Sequence, residues 1–214
     1  MMGNESVQSL PRTLSPPDTI RKKRTGAVKS TKWATPNDVF DALNKVFYFV
    51  ADMAAEEGNA KCPIFITKEI NALTEDWTHW ADPGEAVFLN PPYGLPQKPN
   101  PKTGFPGNPG VGAFLKKAYL ESRKGITVVC LIHAKTDTKF WTNWVGRSAE
   151  KWMIEGRIRF LDPETGLPAR AGPTYGQAVV VFRPGYEGPP REIRVNRKME
   201  QIHPRKIVRM KCHQ

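Results

Sequence analysis

At 214 residues, with 39% hydrophobic side chains and six tryptophans, the chain is long enough for one well-packed domain and too short for a two-domain enzyme. It has no bilayer-spanning stretch, no secretory signal and no Cys-x-x-Cys pair, so we expect a cytoplasmic protein with reduced thiols, no membrane contact and no bound metal. Its formal net charge of +11 favours a polyanionic partner.

The positive charge lies at the two ends of the chain. The first 32 residues contain seven Lys or Arg and two acids, the last 24 contain eight and two, and the middle has seventeen of each. We predict a flexible basic leader over residues 1–30, a folded domain over 31–190 and a basic tail over 191–214. Basic arms that include Lys22, Lys23 and Arg24 can bind DNA phosphates, although solvated ends that only aid solubility fit the charge equally well.

The folded part is predicted to begin with a helix over residues 36–45. Thr35 is a good N-cap, Pro36 suits the first helical position, and apolar residues from Val39 to Phe47 recur at helical spacing. The apolar run 46–51, which ends at Asp52, is typical of a strand buried on both faces.

Further elements alternate along the rest of the chain. We predict strands over 63–67, 86–89, 126–132, 158–161 and 178–182, helices over 113–123 and from Thr136 to Val145, and a Pro- and Gly-rich loop over 95–112.

This alternation predicts an α/β fold with a mostly parallel sheet and helices on both faces. In such sheets ligands bind at the carboxyl ends of the strands. Asp52 and Asn90 each follow a predicted strand directly, so both are expected on one rim of the sheet.

The sharpest motif is Asn90-Pro91-Pro92-Tyr93, directly after a buried strand. Methylation of an exocyclic amine is difficult because the lone pair on nitrogen is delocalised into the ring. An asparagine oxygen and the carbonyl of a rigid proline can each accept one amino hydrogen and localise that lone pair. Tyr93 offers a flat face for a base that has been flipped out of a duplex. Without its strand context the tetrapeptide would fit an ordinary turn.

Five blocks in order over about residues 31–184 resemble the phage and prophage Dam-like DNA N6-adenine methyltransferases. The blocks are Trp33-Ala34-Thr35-Pro36, Asp52-Met53-Ala54-Ala55 followed by Asn59-Ala60-Lys61-Cys62, Asn71-Ala72-Leu73 ahead of Asp76-Trp77, Phe88-Leu89-Asn90-Pro91-Pro92-Tyr93-Gly94, and Gly156-Arg157-Ile158-Arg159-Phe160. The resemblance implies a Rossmann-like methyltransferase domain, S-adenosylmethionine as methyl donor, adenine in double-stranded DNA as acceptor, and a phage or prophage gene in a bacterial host.

The same resemblance implies the residues that bind the cofactor. They are Trp33, Thr35, Asp52, Ala54, Ala55, Asp76 and Asn90. Asp52 would engage the ammonium group of the cofactor, and the two small alanines would replace the Gly-rich turn that many methyltransferases place after the first strand. Thr35 can equally be a helix cap and Asp76 an ordinary turn acid, and for Pro36 we favour a structural role.

Other residues on the expected rim have less specific signals. Arg157 and Arg159 can contact DNA phosphates or simply be solvated. His133 follows a buried strand, but a lone histidine is more often structural, and the reaction needs no strong base.

Two other classes of function fit parts of the sequence. One is methyl transfer to RNA or to a protein glutamine amide, and the other is a non-catalytic DNA-binding protein with a decayed methyltransferase domain. Neither the DNA recognition sequence nor the oligomeric state can be read from the sequence.

Overall fold

The structure, a computed structural model, describes residues 33–94, 96–102, 107–162, 165–168 and 174–203. Its helices are α1 (Asn37–Phe47), α2 (Val111–Ser122) and α3 (Lys139–Asn143), and its strands are β1 (Phe49–Asp52), β2 (Ile64–Phe65), β3 (Ala86–Leu89), β4 (Thr127–His133), β5 (Glu150–Ile154), β6 (Gln177–Phe182) and β7 (Arg191–Val195). Among these residues no helix has the length and apolar character needed to cross a bilayer.

The strands form one sheet in the order β2-β1-β3-β4-β6-β5-β7. β6 runs antiparallel to both of its neighbours, whereas the other pairings are parallel. The predicted mostly parallel sheet is therefore corrected to a mixed one. The sequence could not reveal this, because all six residues of β6 are buried and a continuously apolar strand carries no mark of its direction.

Helices cover both faces of the sheet, as expected. Alternate residues of β4 point to opposite faces, so that Val128, Cys130 and Ile132 join one core with α2. Val129 and Leu131 join the other core, which contains α1. The class predicted from alternating strands and helices is thus confirmed as mixed α/β.

The start of the fold differs from its prediction in two details. Pro36 is the N-cap of α1, and the Thr35 side chain makes no capping hydrogen bond. The helix also continues to Phe47, and Tyr48, with φ of 55°, ends it in the left-handed region. β1 therefore begins at Phe49 rather than at residue 46, because the apolar face of α1 runs directly into the apolar strand.

Two strands of the C-terminal half were missed, and one predicted strand is absent. In the predicted strand 158–161 only Leu161 makes isolated bridges, to Ala34 and Pro168. β5 was missed because its residues alternate between buried and half-buried and include charges. β7 was missed because only Ile193 and Val195 are buried in it.

β7 lies inside the segment that was predicted to be a basic tail from residue 191. It pairs in parallel with β5, so the predicted domain boundary at residue 190 falls too early. Part of the basic charge in this segment is also bound within the domain, since Arg197 forms an ion pair with Asp38 of α1 at 2.7 Å and Arg191 lies 3.6 Å from Glu150. Residues 204–214 lie outside the described residues.

Candidate active site

The candidate site lies at the carboxyl ends of three adjacent strands. Asp52 is the last residue of β1, Asn90 directly follows β3, and His133 is the last residue of β4. Because β1, β3 and β4 are parallel neighbours, these ends meet on one rim of the sheet. The rim predicted from Asp52 and Asn90 is therefore present.

Both ends of the Asn90 amide are held by hydrogen bonds. Its Nδ2 donates to Thr35 Oγ1 at 3.0 Å, and its Oδ1 accepts from the Tyr93 hydroxyl at 2.7 Å. The hydroxyl of Tyr93 also lies 3.0 Å from the carbonyl oxygen of Leu131 in β4. These contacts hold the amide at both ends, and they connect the loop 90–93 to the start of the fold and to the centre of the sheet.

The ring of Tyr93 is half-buried between two aromatic neighbours. The His133 ring lies 4.0 Å from it at an angle of 33°, and Phe160 meets it edge-on at 5.7 Å. In the free protein one face of the Tyr93 ring is therefore covered by the imidazole of His133. Burial raises the pKa of the Tyr93 hydroxyl, so this group keeps its proton and remains a donor.

The remainder of the loop reaches the surface. Pro91 is buried, whereas Pro92 and Gly94 are exposed. Gly94 has φ of 149°, and a Cβ added to it would lie 2.8 Å from Asn108 Nδ2, so the segment around Asn108 packs closely against the end of the motif. Pro92 and Gly94 thus bring part of the motif to the protein surface.

Asp52 is a buried carboxylate on this rim. Its two oxygens accept the backbone N–H of Lys61 at 3.1 Å and, more weakly, that of Ala54 at 3.4 Å. Burial raises the pKa of Asp52 to about 6 in spite of these hydrogen bonds. Burial therefore disfavours the negatively charged form of Asp52 in the free protein, and a cationic partner would stabilise it.

The turn after β1 takes the place of a Gly-rich turn. Ala54 is half-buried and Ala55 is buried, and the N–H of Ala55 donates to the carbonyl of Ile66 at 3.0 Å. The N–H groups of both alanines thus have partners within the protein. Small side chains at these two positions keep the backbone of the turn open to close approach.

The N-terminal block reaches the same region through Thr35. Ala34 and Leu161 exchange two backbone hydrogen bonds, at 2.7 and 2.8 Å, which anchors the chain just before α1. Trp33 is 46% exposed beside this anchor. Thr35 is buried and contacts Asn90, so the structure joins these two predicted site residues although they are 55 positions apart.

The carboxylate of Asp76 has hydrogen-bond and ion-pair partners within the protein, so its position is accounted for without a ligand. It caps a short 3-10 helix (Trp77–His79), accepts from the Thr78 N–H at 3.1 Å and hydroxyl at 2.8 Å, and forms a 3.0 Å ion pair with Lys124. These contacts hold its pKa well below the usual range. The geometry favours the turn-acid interpretation.

The predicted DNA contacts are only partly described. Arg157 and Arg159 are exposed in the segment that follows β5. This segment lies beside the loop 90–93, because its Phe160 contacts Tyr93 and its Ile158 N–H donates to Gln177 Oε1 at 2.8 Å. Lys22, Lys23 and Arg24 lie outside the described residues.

A small pocket adjoins the loop on the α3 side. Its walls come from the motif loop, the end of β4 and the start of α2 and α3: Tyr93, Gly94, Val111, His133, Lys135, Thr138 and Phe140. Sequence reasoning missed Lys135 and Phe140, whose side chains carry no motif of their own. Within the described ranges no group of three or more His, Cys, Asp or Glu side chains could hold a metal ion.

Comparison with known proteins finds chains of similar sequence. A family model described as "DNA N-6-adenine-methyltransferase (Dam)" matches residues 22–206. A protein of Haemophilus phage HP1 (strain HP1c1) named "DNA N-6-adenine-methyltransferase" is 33% identical over 169 residues, which cover 77% of this chain and 86% of the phage protein. "Putative methyltransferase YfdM" of Escherichia coli (strain K12) is 42% identical over 64 residues, which cover 29% of this chain and 70% of that protein.

Proposed function

Because this chain belongs to the DNA N-6-adenine-methyltransferase (Dam) family, we propose that its loop 90–93 is where a methyl group is transferred to the amino nitrogen of adenine. Membership of the family makes the protein a DNA N6-adenine methyltransferase. Asn90 is half-buried and Pro92 is exposed, so DNA can reach the loop from the surface.

The fixed amide of Asn90 is the observation that carries this proposal. An amide oxygen accepts two hydrogen bonds, and Tyr93 supplies one of them at 2.7 Å. The second lone pair of Oδ1 is left for one amino hydrogen of adenine, and the carbonyl of Pro91 accepts the other. With both hydrogens bound, the lone pair of N6 is localised for attack on the methyl carbon.

The reaction is a direct displacement. Bound S-adenosylmethionine would supply the methyl group and retain the electron pair of the broken bond on its sulfur, and N6 would release one proton to water. Asn90 and Pro91 act by orienting the amine and by stabilising the positive charge that develops on it. No covalent intermediate with the protein is needed.

The residues present fit S-adenosylmethionine as the methyl donor. When bound, this cofactor supplies an electrophilic sulfonium methyl group. Burial raises the pKa of Asp52 to about 6 although the positive charge of Lys61 acts against it, so the carboxylate would be stabilised by a further positive charge, which the ammonium of the cofactor would supply. We assign Trp33, Thr35, Ala54 and Ala55 to the same cofactor site as Asp52, because Thr35 contacts Asn90 and the alanines come two and three residues after Asp52.

The target adenine has to leave the DNA duplex, since its amino group lies inside the base stack. We assign Tyr93 as the stacking partner of the flipped base. In the free protein the His133 ring occupies one face of Tyr93, so stacking on that face requires the imidazole to move aside. Arg157, Arg159 and the basic ends of the chain would bind the phosphates of the double-stranded DNA.

The phage relative supports a gene of phage or prophage origin. We accordingly assign the protein to the cytoplasm of a bacterial host, where the phage DNA lies. A Rossmann-like arrangement of the methyltransferase domain is compatible with the mixed seven-stranded sheet.

Transfer of a labelled methyl group tests the proposal directly. Purified protein is incubated with methyl-labelled S-adenosylmethionine and with plasmid DNA, RNA or protein, and the assay is repeated with Asn90→Ala. We expect label in DNA at N6 of adenine and a loss of at least about 100-fold in the variant, the scale seen when one preorganised catalytic group is removed. Label in RNA or protein alone, or full activity of Asn90→Ala, would contradict the proposal.

A further inference from the structure

The pocket beside Tyr93 contains a polar group that the methyl transfer does not use. His133, the last residue of β4, forms part of its wall together with Lys135 and Phe140. The hydrogen bonds of the Asn90 amide go to Thr35 and Tyr93 instead. The pocket nevertheless adjoins the ring on which we place the target base, so its walls meet whatever lies against Tyr93.

His133 has one nitrogen without a partner. Its Nδ1 is buried and makes no hydrogen bond to any atom in the part of the chain that the structure describes. A buried nitrogen left without a partner is costly, and most buried polar atoms in proteins have one. An unsatisfied nitrogen in the wall of a substrate pocket is explained if the substrate brings the missing partner.

The surroundings of His133 keep its ring neutral. Burial lowers the pKa of this histidine, and the positive charge of Lys135 lowers it further. Lys135 itself lies over the ring of Tyr175, with its Nζ 4.2 Å from the ring centroid, and Tyr175 is 5.8 Å from His133. A neutral imidazole carries one N–H and can place it on either nitrogen, so Nδ1 can act as a donor.

The chemistry of adenine determines what this donor can bind. Once Asn90 and Pro91 hold both amino hydrogens, the remaining polar atoms on the edges of the ring are N1, N3 and N7, and all three are acceptors. A protein that binds such an edge must supply an N–H or an O–H. His133 lines the pocket and packs against Tyr93, with the two ring centroids 4.0 Å apart.

We propose that His133 Nδ1 donates a hydrogen bond to an acceptor nitrogen on the ring edge of the target adenine. The inference rests on the proposed function of the loop 90–93. The incoming base displaces the imidazole from the face of Tyr93, and the imidazole turns towards the edge of that base. Stacking of imidazole on tyrosine is thereby exchanged for stacking of adenine on tyrosine, and Nδ1 gains its missing partner.

The first test uses the unaltered protein and modified DNA. Duplexes carry adenine, 1-deazaadenine, 3-deazaadenine or 7-deazaadenine at the target position, so that one acceptor nitrogen at a time becomes C–H. We expect kcat/KM to fall about tenfold for one of the three analogues and little for the others. Equal methylation of all four duplexes would overturn the proposal, without any variant that has to fold.

A pair of variants then assigns the effect to His133. His133→Phe keeps an aromatic ring against Tyr93 and removes both nitrogens, and His133→Asn keeps a donor near the position of Nδ1 and removes the ring. We expect His133→Phe to lose about tenfold on adenine and to be insensitive to the critical analogue, whereas His133→Asn keeps that sensitivity. Unchanged sensitivity in His133→Phe would overturn the assignment.

Different results would contradict the proposed function of the loop 90–93 and the proposed role of His133. If the wild-type protein methylates no adenine in DNA, or if Asn90→Ala is fully active, the proposed function of the loop 90–93 is wrong. If wild-type methylation is normal and depends on Asn90 while His133→Phe behaves like wild type on every duplex, only the role of His133 is wrong.

Discussion

The amide of Asn90 depends on a residue outside its own motif. Thr35 accepts from Nδ2 at 3.0 Å and so keeps Oδ1 on the side of Tyr93. Thr35→Val preserves the shape of the side chain but removes this acceptor. We expect kcat/KM for DNA methylation to fall about fivefold, because a neutral hydrogen bond contributes ~1 kcal/mol.

Thr35→Ser is the matched control, because it retains the hydroxyl. We expect it to stay within about twofold of wild type in a steady-state methylation assay. Equal activity of the valine and serine variants would show that Thr35 does not position the amide.

The buried carboxylate of Asp52 should make the free energy of unfolding depend on pH. Its pKa is about 6 in the folded protein and 3.8 in a model peptide, because burial outweighs its hydrogen bonds. The folded state therefore holds this proton more tightly than the unfolded chain does. The stability that protonated Asp52 contributes is complete below about pH 4 and is lost as pH rises through 6.

The measurement is the free energy of unfolding in urea at several pH values for wild type and Asp52→Asn. We expect wild type to lose about 3 kcal/mol relative to the variant between pH 3 and pH 7. Asp76→Asn is a control of opposite sign, because hydrogen bonds lower the pKa of Asp76 and its contribution is lost as pH falls. Parallel curves for wild type and Asp52→Asn would contradict the expectation.

Single residues of the site were predictable where one local feature revealed them. Asp52 is the polar last residue of β1 and Asn90 directly follows β3, and strand ends of that kind meet on one rim. The contact of Thr35 with Asn90 was not predictable from the sequence, because it joins residues that only the tertiary fold brings together. The cover of His133 over Tyr93 was missed for the same reason.

At the level of elements, β7 shows how the sequence pattern can mislead. Its exposed residues Arg191, Glu192 and Arg194 resemble a charged tail, whereas Ile193 and Val195 are buried in the same core as α1. β3, β4 and β6 were recognised because each is buried along nearly its full length. The apolar pattern of the sequence identified the central strands. The half-exposed strands β5 and β7 could be recognised only from their pairing with neighbouring strands in the structure.

Shortening Ile193 tests whether β7 belongs to the fold. Ile193→Ala should lower the free energy of unfolding by about 2 kcal/mol, the lower end for buried isoleucine because the side chain is 9% exposed. Ile193→Val should cost about 1 kcal/mol. Both values are to be measured by urea denaturation. An unchanged denaturation midpoint for Ile193→Ala would indicate that residues 191–195 are a tail and not part of the fold.

For the whole molecule, the uneven charge makes a prediction about DNA binding. Each basic residue that neutralises a phosphate contributes about −0.9 to the slope of log affinity against log salt. We expect glutamine at Lys22, Lys23 or Arg24 to make this slope shallower by about 0.9 each, measured by titration of a target duplex at several salt concentrations.

Arg197→Gln is the matched control for these changes, because it removes the same charge from a residue whose guanidinium is already bound to Asp38. We expect its slope to equal that of wild type. An unchanged slope in the three leader variants as well would mean that the leader serves solubility alone.

The ion pair between Asp38 and Arg197 ties together residues that are synthesised far apart in time. α1 packs into a core that also contains Ile193, Val195 and Met199, so this helix is covered by residues that are translated much later. A nascent chain can therefore complete this core only after Met199 has left the ribosome. A premature stop codon after residue 190 would leave α1 exposed to chaperones and proteases rather than produce a shorter working enzyme.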